Sequence, residues 1–167
     1  ESGVMLGRLV KEAIRHNLTG LESLVGVPGT LGGALMMNAG AWGSEISNYL
    51  VSVNVINSNG QIITLYPKDM EFKYRYSSFN SNDFILSAEF ELNEATKAEI
   101  NKKKLIASKG RISSQPLKFR SAGSVFKNPN DKLAAGLLID EAGLKGTRFG
   151  GAEISTHHAN FFINHGN

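Results

Sequence analysis

The 167-residue chain contains no cysteine. That excludes a disulfide framework, thiolate catalysis and any thiolate metal centre. It fits a reducing compartment. Proline is sparse, at four residues, and tryptophan occurs once. There is no low-complexity tract and no internal repeat. No apolar run approaches the roughly 20 residues needed to cross a bilayer, and no signal-peptide pattern is present. The charge of one sign is also small. At a net +3 the chain mildly favours anionic ligands and gives no argument for nucleic acid. What remains is a globular composition, 41% hydrophobic and 20% charged, long enough for one core or two small ones.

Against this background one segment stands out: GVPGTLGGALMMNAGAWG, from Gly26 to Gly43. It holds six of the chain's 18 glycines. They alternate with small and apolar residues, not with the serine and proline of a flexible linker. Glycine permits positive φ and close approach to the backbone. Such a loop can turn several N–H groups towards one anion. Its core, GTLGGA, is neither a Walker A loop nor a GxGxxG fingerprint. A phosphate site and a tight buried turn against a sheet both fit it.

Around this segment the pattern predicts mixed helix and sheet. Residues 4 to 16 read as an amphipathic helix with Leu6, Leu9, Val10 and Ala13 on one face, Ser2 as N-cap and Asn17 as the stop. Residues 49 to 56 alternate, with Val51, Val53 and Val55 on one side, and Asn59-Gly60 turns the chain into a second strand, Gln61 to Tyr66. Pro67 ends it, with a helical turn expected over Asp69 to Phe72. Residues 84 to 92 alternate again, placing Phe84, Leu86, Ala88, Phe90 and Leu92 on one face. Asn93 reads as N-cap of a helix to about Ile112, with Lys102 to Lys104 on its solvated side. Ser114 to Arg120 marks a domain boundary. A strand near Ser124 to Phe126, a helix over Leu133 to Glu141 and a strand over Asn160 to Asn164 follow.

Three clusters carry candidate chemistry. In Tyr74-Arg75-Tyr76-Ser77-Ser78-Phe79, an extended backbone would put both tyrosines on one face and Arg75 on the other. The planar fork of Arg75 suits a carboxylate or phosphate, or equally a structural partner. In SAGSVFKNP, Ser121 to Pro129, Ser124 follows Ala-Gly, with Lys127 and Asn128 close behind. A serine near a cation can deliver or receive a proton. It can also cap its own turn, and the pattern is not a GxSxG elbow. Adjacent His157 and His158, in a strand, would point to opposite faces and could not share one ion. No metal is therefore expected, and one histidine is left to hydrogen-bond a ligand or the backbone.

Taken together these segments resemble the UDP-N-acetylenolpyruvoylglucosamine reductase family. The resemblance rests on GLESLVGVPGTLGGALMMNAGAWG from Gly20, YRYSSF from Tyr74, QPLKFRSAGSVFKNP from Gln115, IDEAGLKG from Ile139 and GGAEISTHHANFFIN from Gly150, in the family's order. The short interval from Phe79 to Phe84 is similar to the subclass lacking a tyrosine-bearing insertion. The resemblance implies an α+β fold: a two-part FAD-binding domain with an antiparallel sheet and flanking helices, then a small α/β substrate-binding domain. On that basis residues 1–114 would be the second part of the FAD-binding domain and 115–167 the substrate-binding domain, truncated at its C-terminus.

The same resemblance implies FAD as cofactor, NADPH as hydride donor and a UDP-sugar enolpyruvyl ether as substrate, in peptidoglycan precursor synthesis. It also implies a cytoplasmic monomer with no membrane or nucleic-acid partner. Val27, Pro28, Gly29, Thr30, Gly32, Gly33 and Ala34 would line the flavin. Arg75 and Ser124 would be catalytic. Lys127, Asn128 and His158 would lie near the substrate. The family's further catalytic glutamate and its N-terminal flavin loop find no counterpart here, since Glu153 sits in a different motif. Trp42 stands where a smaller aromatic is expected. Both ends thus read as cut from something longer, leaving a chain expected to be inactive alone and to bind FAD weakly. Two other readings share parts of the pattern. One is an alcohol or sugar oxidase on the same scaffold, which would not need YRYSSF and SAGSVFKNP together. The other is a non-catalytic nucleotide-sugar binding module, which would show no flavin absorbance.

Overall fold

The computed structural model describes residues 1–166, in two compact units divided at Ser108/Lys109. The fold is α+β, and every strand pairing is antiparallel. The division falls six residues before the end of a helix, upstream of the boundary the sequence marked at Ser114 to Arg120.

In the first unit, helix α1 (Leu6–Arg15) buries Leu6, Val10 and Ala13. Its N-cap is Met5, not Ser2, and no side chain caps it. Asn17 does stop it, in the left-handed region at φ 58°. The short strand β1 (Leu18–Thr19) follows. The Gly-rich segment is not all loop. Thr30 accepts a hydrogen bond from the Gly33 N–H and starts helix α2 (Leu31–Met36), which buries Leu31, Ala34 and Leu35. Strands β2 (Gly40–Ala41) and β3 (Ser44–Glu45) form a hairpin with Trp42-Gly43 at its tip. Both tip residues have positive φ, 55° and 78°, the geometry of a type I′ turn.

Strands β4 (Leu50–Ile56) and β5 (Ile62–Leu65) pair across the Asn-Gly turn as expected. Strands β6 (Phe72–Lys73) and β7 (Tyr76–Ser77) make a second small hairpin, and β8 (Phe84–Phe90) pairs with β4 on its other side. The helical turn expected over Asp69 to Phe72 forms earlier, at Pro67–Asp69. In β4, Val53 and Val55 are fully buried. The core face of β8 differs from the alternation. Ile85, Ala88 and Phe90 pack on the core, whereas Phe84 is 71% exposed. The cause is a register shift between Asn54 and Val55 in the β4–β8 ladder, because one extra residue flips every side chain beyond it.

Strand β9 (Asn93–Glu94) pairs with β1, so Asn93 is a strand residue and not a cap. Helix α3 (Lys97–Ser114) starts after Thr96. Glu99 Oε2 accepts from the N–H and hydroxyl of Thr96, while the Glu99 N–H donates back to Thr96 Oγ1. This reciprocal box fixes the helix start three residues later than the sequence reading.

The second unit holds one four-stranded sheet in the order β10, β13, β12, β11. Its strands are β10 (Arg120–Ser124), β11 (Arg148–Phe149), β12 (Ala152–Ile154) and β13 (Phe161–Asn164), with helix α4 (Ala135–Glu141) between the first two. Ala135, Ala159, Phe161 and Ile163 are its buried apolar residues. Among the described residues no helix is long and apolar enough to cross a membrane.

The first unit's core depends on the apolar side of α2. Leu35 has no exposed surface. Leu35→Ala should destabilise the protein by about 2–5 kcal/mol through lost transfer energy and a residual cavity. Urea unfolding followed by circular dichroism measures this. A change under about 1 kcal/mol would show that α2 is not integral to the core.

Candidate active site

The Gly-rich segment divides its backbone donors between the fold and solvent. Val27 N–H bonds Leu24 O, Leu31 N–H bonds Val4 O, Gly32 N–H bonds Ser2 O and Ala34 N–H bonds Thr30 O. Gly33 N–H is used by the Thr30 cap. The N–H groups of Gly29 and Thr30 are engaged by no acceptor among the described residues. Gly29 has φ +108°, and a Cβ built there would meet nothing. Pro28, Gly29 and Gly33 are exposed, while Ala34 is core. The open face is therefore Pro28 to Thr30 with Gly33. Val27, Gly32 and Ala34 spend their N–H groups within the fold and offer no backbone donor to a ligand. Two backbone donors beside an open, Cβ-free surface fit a pyrophosphate. Immediately upstream, Glu22 Oε1 and Ser23 Oγ are buried without a hydrogen-bond partner among the described residues.

Arg75 is attached to this segment. It sits at the tip of the β6–β7 hairpin with φ 51°, so the segment is a turn and not the extended strand expected. Its Nη2 donates to Gly40 O at 2.9 Å, and its guanidinium lies 4.9 Å from the Tyr74 ring centroid. Two further bonds join the hairpin to the residues around Gly40. Ser77 Oγ donates to Met36 O at 2.7 Å, and Asn38 Nδ2 donates to Lys73 O at 3.2 Å. Gly40 must be glycine, since a Cβ there would lie 2.9 Å from Ser44 O.

The other candidates lie in the second unit. Ser124 ends β10 just past a bulge at Gly123, whose φ is +87°. It is exposed, and its hydroxyl makes no hydrogen bond among the described residues. The chain beyond it is clamped by Asn160, which is 4% exposed. Phe126 N–H donates to Asn160 Oδ1 at 2.9 Å, Asn160 Nδ2 donates to Phe126 O at 2.8 Å, and Val125 N–H donates to Asn160 O at 2.9 Å. Lys127 is exposed. Asn128 is half-buried and its Oδ1 accepts from the Ala135 N–H at the start of α4.

His157 and His158 lie in a turn, not a strand, and Ser155 Oγ accepts from both backbone N–H groups. His158 Nδ1 accepts from the Asn160 N–H at 3.2 Å, which leaves the proton on Nε2 in the neutral ring. Burial holds its pKa below the ordinary imidazole value, with smaller contributions from His157 and Lys145. No group of three or more metal-ligating side chains occurs among the described residues. A separate cluster pairs buried Glu153 with Arg148 and His165. The Arg148 hydrogen bond holds the Glu153 carboxyl below its usual range.

The structure thus places Arg75 with the Gly-rich segment in the first unit, and Ser124, Lys127, Asn128 and His158 in the second. Sequence reasoning missed the two buried amides, Asn38 and Asn160. Each sits in a run of apolar residues, MMNAG and HHANFF, and an isolated amide in such a run is the signal that could have found them.

Comparison with known proteins gives consistent matches. Residues 115–167 match the family model "UDP-N-acetylenolpyruvoylglucosamine reductase, C-terminal domain". Residues 1–66 match "FAD binding domain". The chain is 46% identical to UDP-N-acetylenolpyruvoylglucosamine reductase of Carboxydothermus hydrogenoformans, over 99% of this chain and 55% of that protein. It is 46% identical to the enzyme of Streptococcus pneumoniae, over 98% and 54%. The chain spans about half the length of these relatives. The crystal structure of UDP-N-acetylenolpyruvylglucosamine reductase from Thermus caldophilus superposes with a TM-score of 0.92 at 40% identity, over 99% of this chain and 61% of that one. These matches support FAD as the cofactor.

The position of His158 predicts a measurable pH effect. Its pKa is lowered on folding, so below the unfolded value of about 6.5 the unfolded chain binds more protons. The stability contributed by the neutral ring is complete above that pH and is lost as pH falls towards the folded pKa. NMR titration of the His158 ring should give a midpoint below the ordinary value, and His158→Gln should remove this part of the acid sensitivity. A midpoint at or above the ordinary value would exclude the buried neutral ring.

Proposed function

Because the chain belongs to the UDP-N-acetylenolpyruvoylglucosamine reductase family, we propose that it contributes to the NADPH-dependent reduction of the enolpyruvyl group of UDP-N-acetylglucosamine enolpyruvate, yielding UDP-N-acetylmuramate. FAD, when bound, would relay a hydride from NADPH to the substrate double bond. In this reading Gly29 and Thr30 offer backbone donors to the pyrophosphate, with Pro28 and Gly33 on the same open face. Residues 115–167 form the substrate-binding domain, with Lys127, Asn128 and His158 near the UDP-sugar. The setting is cytoplasmic, the protein is a monomer, and neither membrane nor nucleic acid takes part.

The chemistry asks two things of the protein. The substrate is an α,β-unsaturated carboxylate. Hydride arriving at its β-carbon pushes negative charge onto the α-carbon and the carboxylate. A fixed cation there stabilises the transition state more than the ground state. Arg75 supplies it, and its attachment to Gly40 of the Gly-rich segment is the observation that carries the reading. The α-carbon then takes a proton. A hydroxyl is a weak acid but adequate against an enolate-like carbon. Ser124 is exposed on a bulge, held from behind by the Asn160 clamp, with Lys127 three residues on.

Stopped-flow kinetics of the full-length, flavin-loaded enzyme tests both roles. Ser124→Ala should leave flavin reduction by NADPH nearly unchanged and slow reoxidation by the enolpyruvyl substrate by about 10²–10⁴-fold. An unchanged second half-reaction would remove Ser124 from the mechanism. Arg75→Lys keeps the charge but loses the fork, so it should also impair the second half-reaction. Full activity would make Arg75 structural.

Flavin affinity is a separate expectation. Two N–H groups on an exposed surface compete with water and hold a pyrophosphate weakly. The 167-residue chain should therefore purify colourless and bind added FAD weakly. Tight stoichiometric quenching in a fluorescence titration would show that other residues of the chain complete the site.

A further inference from the structure

Asn38 is used by none of the chemistry above, yet it has no exposed surface at all. Its side chain makes three hydrogen bonds. Nδ2 donates to Glu45 Oε2 at 2.6 Å and to Lys73 O at 3.2 Å, and Oδ1 accepts from the Ser47 N–H at 3.4 Å. Both N–H donors are therefore spent, one on the β2–β3 hairpin and one on the β6–β7 hairpin. Lys73 is two residues from Arg75. The other two bonds across the same junction, Arg75 to Gly40 O and Ser77 to Met36 O, start from the β6–β7 hairpin itself. Asn38 is the reciprocal bond, from the Gly-rich segment back to the hairpin. Its backbone is in the left-handed region at φ 41°, which asparagine tolerates better than most residues.

We infer that Asn38 is a positioning residue for Arg75, holding the hairpin in register with the Gly-rich segment so that the guanidinium meets the substrate carboxylate. The inference rests on the catalytic reading of Arg75. The physical reason is that a buried amide with every donor paired fixes one geometry, whereas leaving its partners unsatisfied is costly. Misplacement of a reacting group by about 1 Å can cost around 10²-fold in rate. No other residue type supplies both parts. Aspartate would set two carboxylate oxygens face to face at Glu45. Alanine would lose the bonds and strain the backbone.

The test uses Asn38→Gly, which keeps the left-handed backbone and removes only the amide. In the full-length, flavin-loaded enzyme it should leave reduction by NADPH within about twofold and slow reoxidation by the enolpyruvyl substrate by about 10–100-fold. In an Arg75→Lys background it should add less than about threefold, since both changes disable the same group. Hydrogen exchange on the substrate-free protein should show faster exchange at residues 72–77 and unchanged protection of the β4–β8 ladder. Equal slowing of both half-reactions, full multiplication with Arg75→Lys, or exchange raised throughout the unit would overturn the proposal. Arg75→Lys with a normal second half-reaction would instead sink the reading of Arg75, and this inference with it. Should Asn38→Gly not fold, Asn38→Asp keeps the shape. Its defect should carry the same half-reaction selectivity and lessen as pH falls and the new carboxyl regains a proton to donate. A pH-independent or unselective defect would count against the proposal.

Discussion

The first unit depends on burying one side of a segment whose other side must stay bare. Leu31, Ala34 and Leu35 enter the core beside Leu6 and Val10. That burial holds α2 in place, and the placement leaves Gly29 and Gly33 outward. The glycines therefore answer two opposite demands. At Gly40 the neighbouring strand is so close that a Cβ would collide with it. At Gly29 there is nothing to collide with, and the missing side chain leaves the backbone reachable. The pairing of a dry apolar face with an uncovered polar backbone is what a ligand-binding turn needs.

Both units anchor the backbone beside a candidate chemical group with a buried amide. Asn38 lies behind Arg75 and Asn160 behind Ser124, each pairing its donors and acceptors with backbone or carboxylate groups of other elements. An amide is suited to this because it both donates and accepts, carries no charge to desolvate and offers a defined plane. Inside a low-dielectric core such bonds are stronger than in water, and their loss leaves orphaned partners. Long arginine and small serine side chains have several accessible rotamers. Anchoring the backbone on either side restricts where they can reach, which is the larger part of placing a catalytic group.

Much of this was legible in the sequence. The helix at Leu6 and the Asn-Gly hairpin came from periodicity and turn chemistry that the structure retains. The failures have local causes. Nothing in the alternation of Phe84 to Phe90 announces the bulge that turns Phe84 out to solvent. The start of α3 was readable, since Thr96 and Glu99 carry the capping-box spacing, but Asn93 is also a favoured cap type and stands first. Trp42-Gly43 forms a tight turn with a bulky residue at positive φ, which propensity argues against. Strand β11 escaped notice because Phe149 is 91% exposed and its two residues show no alternation. The sequence pattern around Arg75 allows an extended backbone, whereas the structure turns there at φ 51°. A two-residue turn leaves no periodic trace, and the bond to Gly40 spans 35 positions.

The electrostatic settings of the second unit follow from the same separation of buried and exposed groups. His158 is kept neutral by burial, with one nitrogen committed to the Asn160 N–H. Only Nε2–H is left to meet a ligand, so the ring offers a donor without adding charge. Glu153 is kept ionised by Arg148 and His165, and its charge is consumed within that cluster. A reaction that gathers negative charge on a carboxylate is served by a cation held in place and by neighbours whose own charges are already paired or buried. On the proposed mechanism, the exposed hydroxyl of Ser124 would supply the mobile proton that the fixed groups cannot.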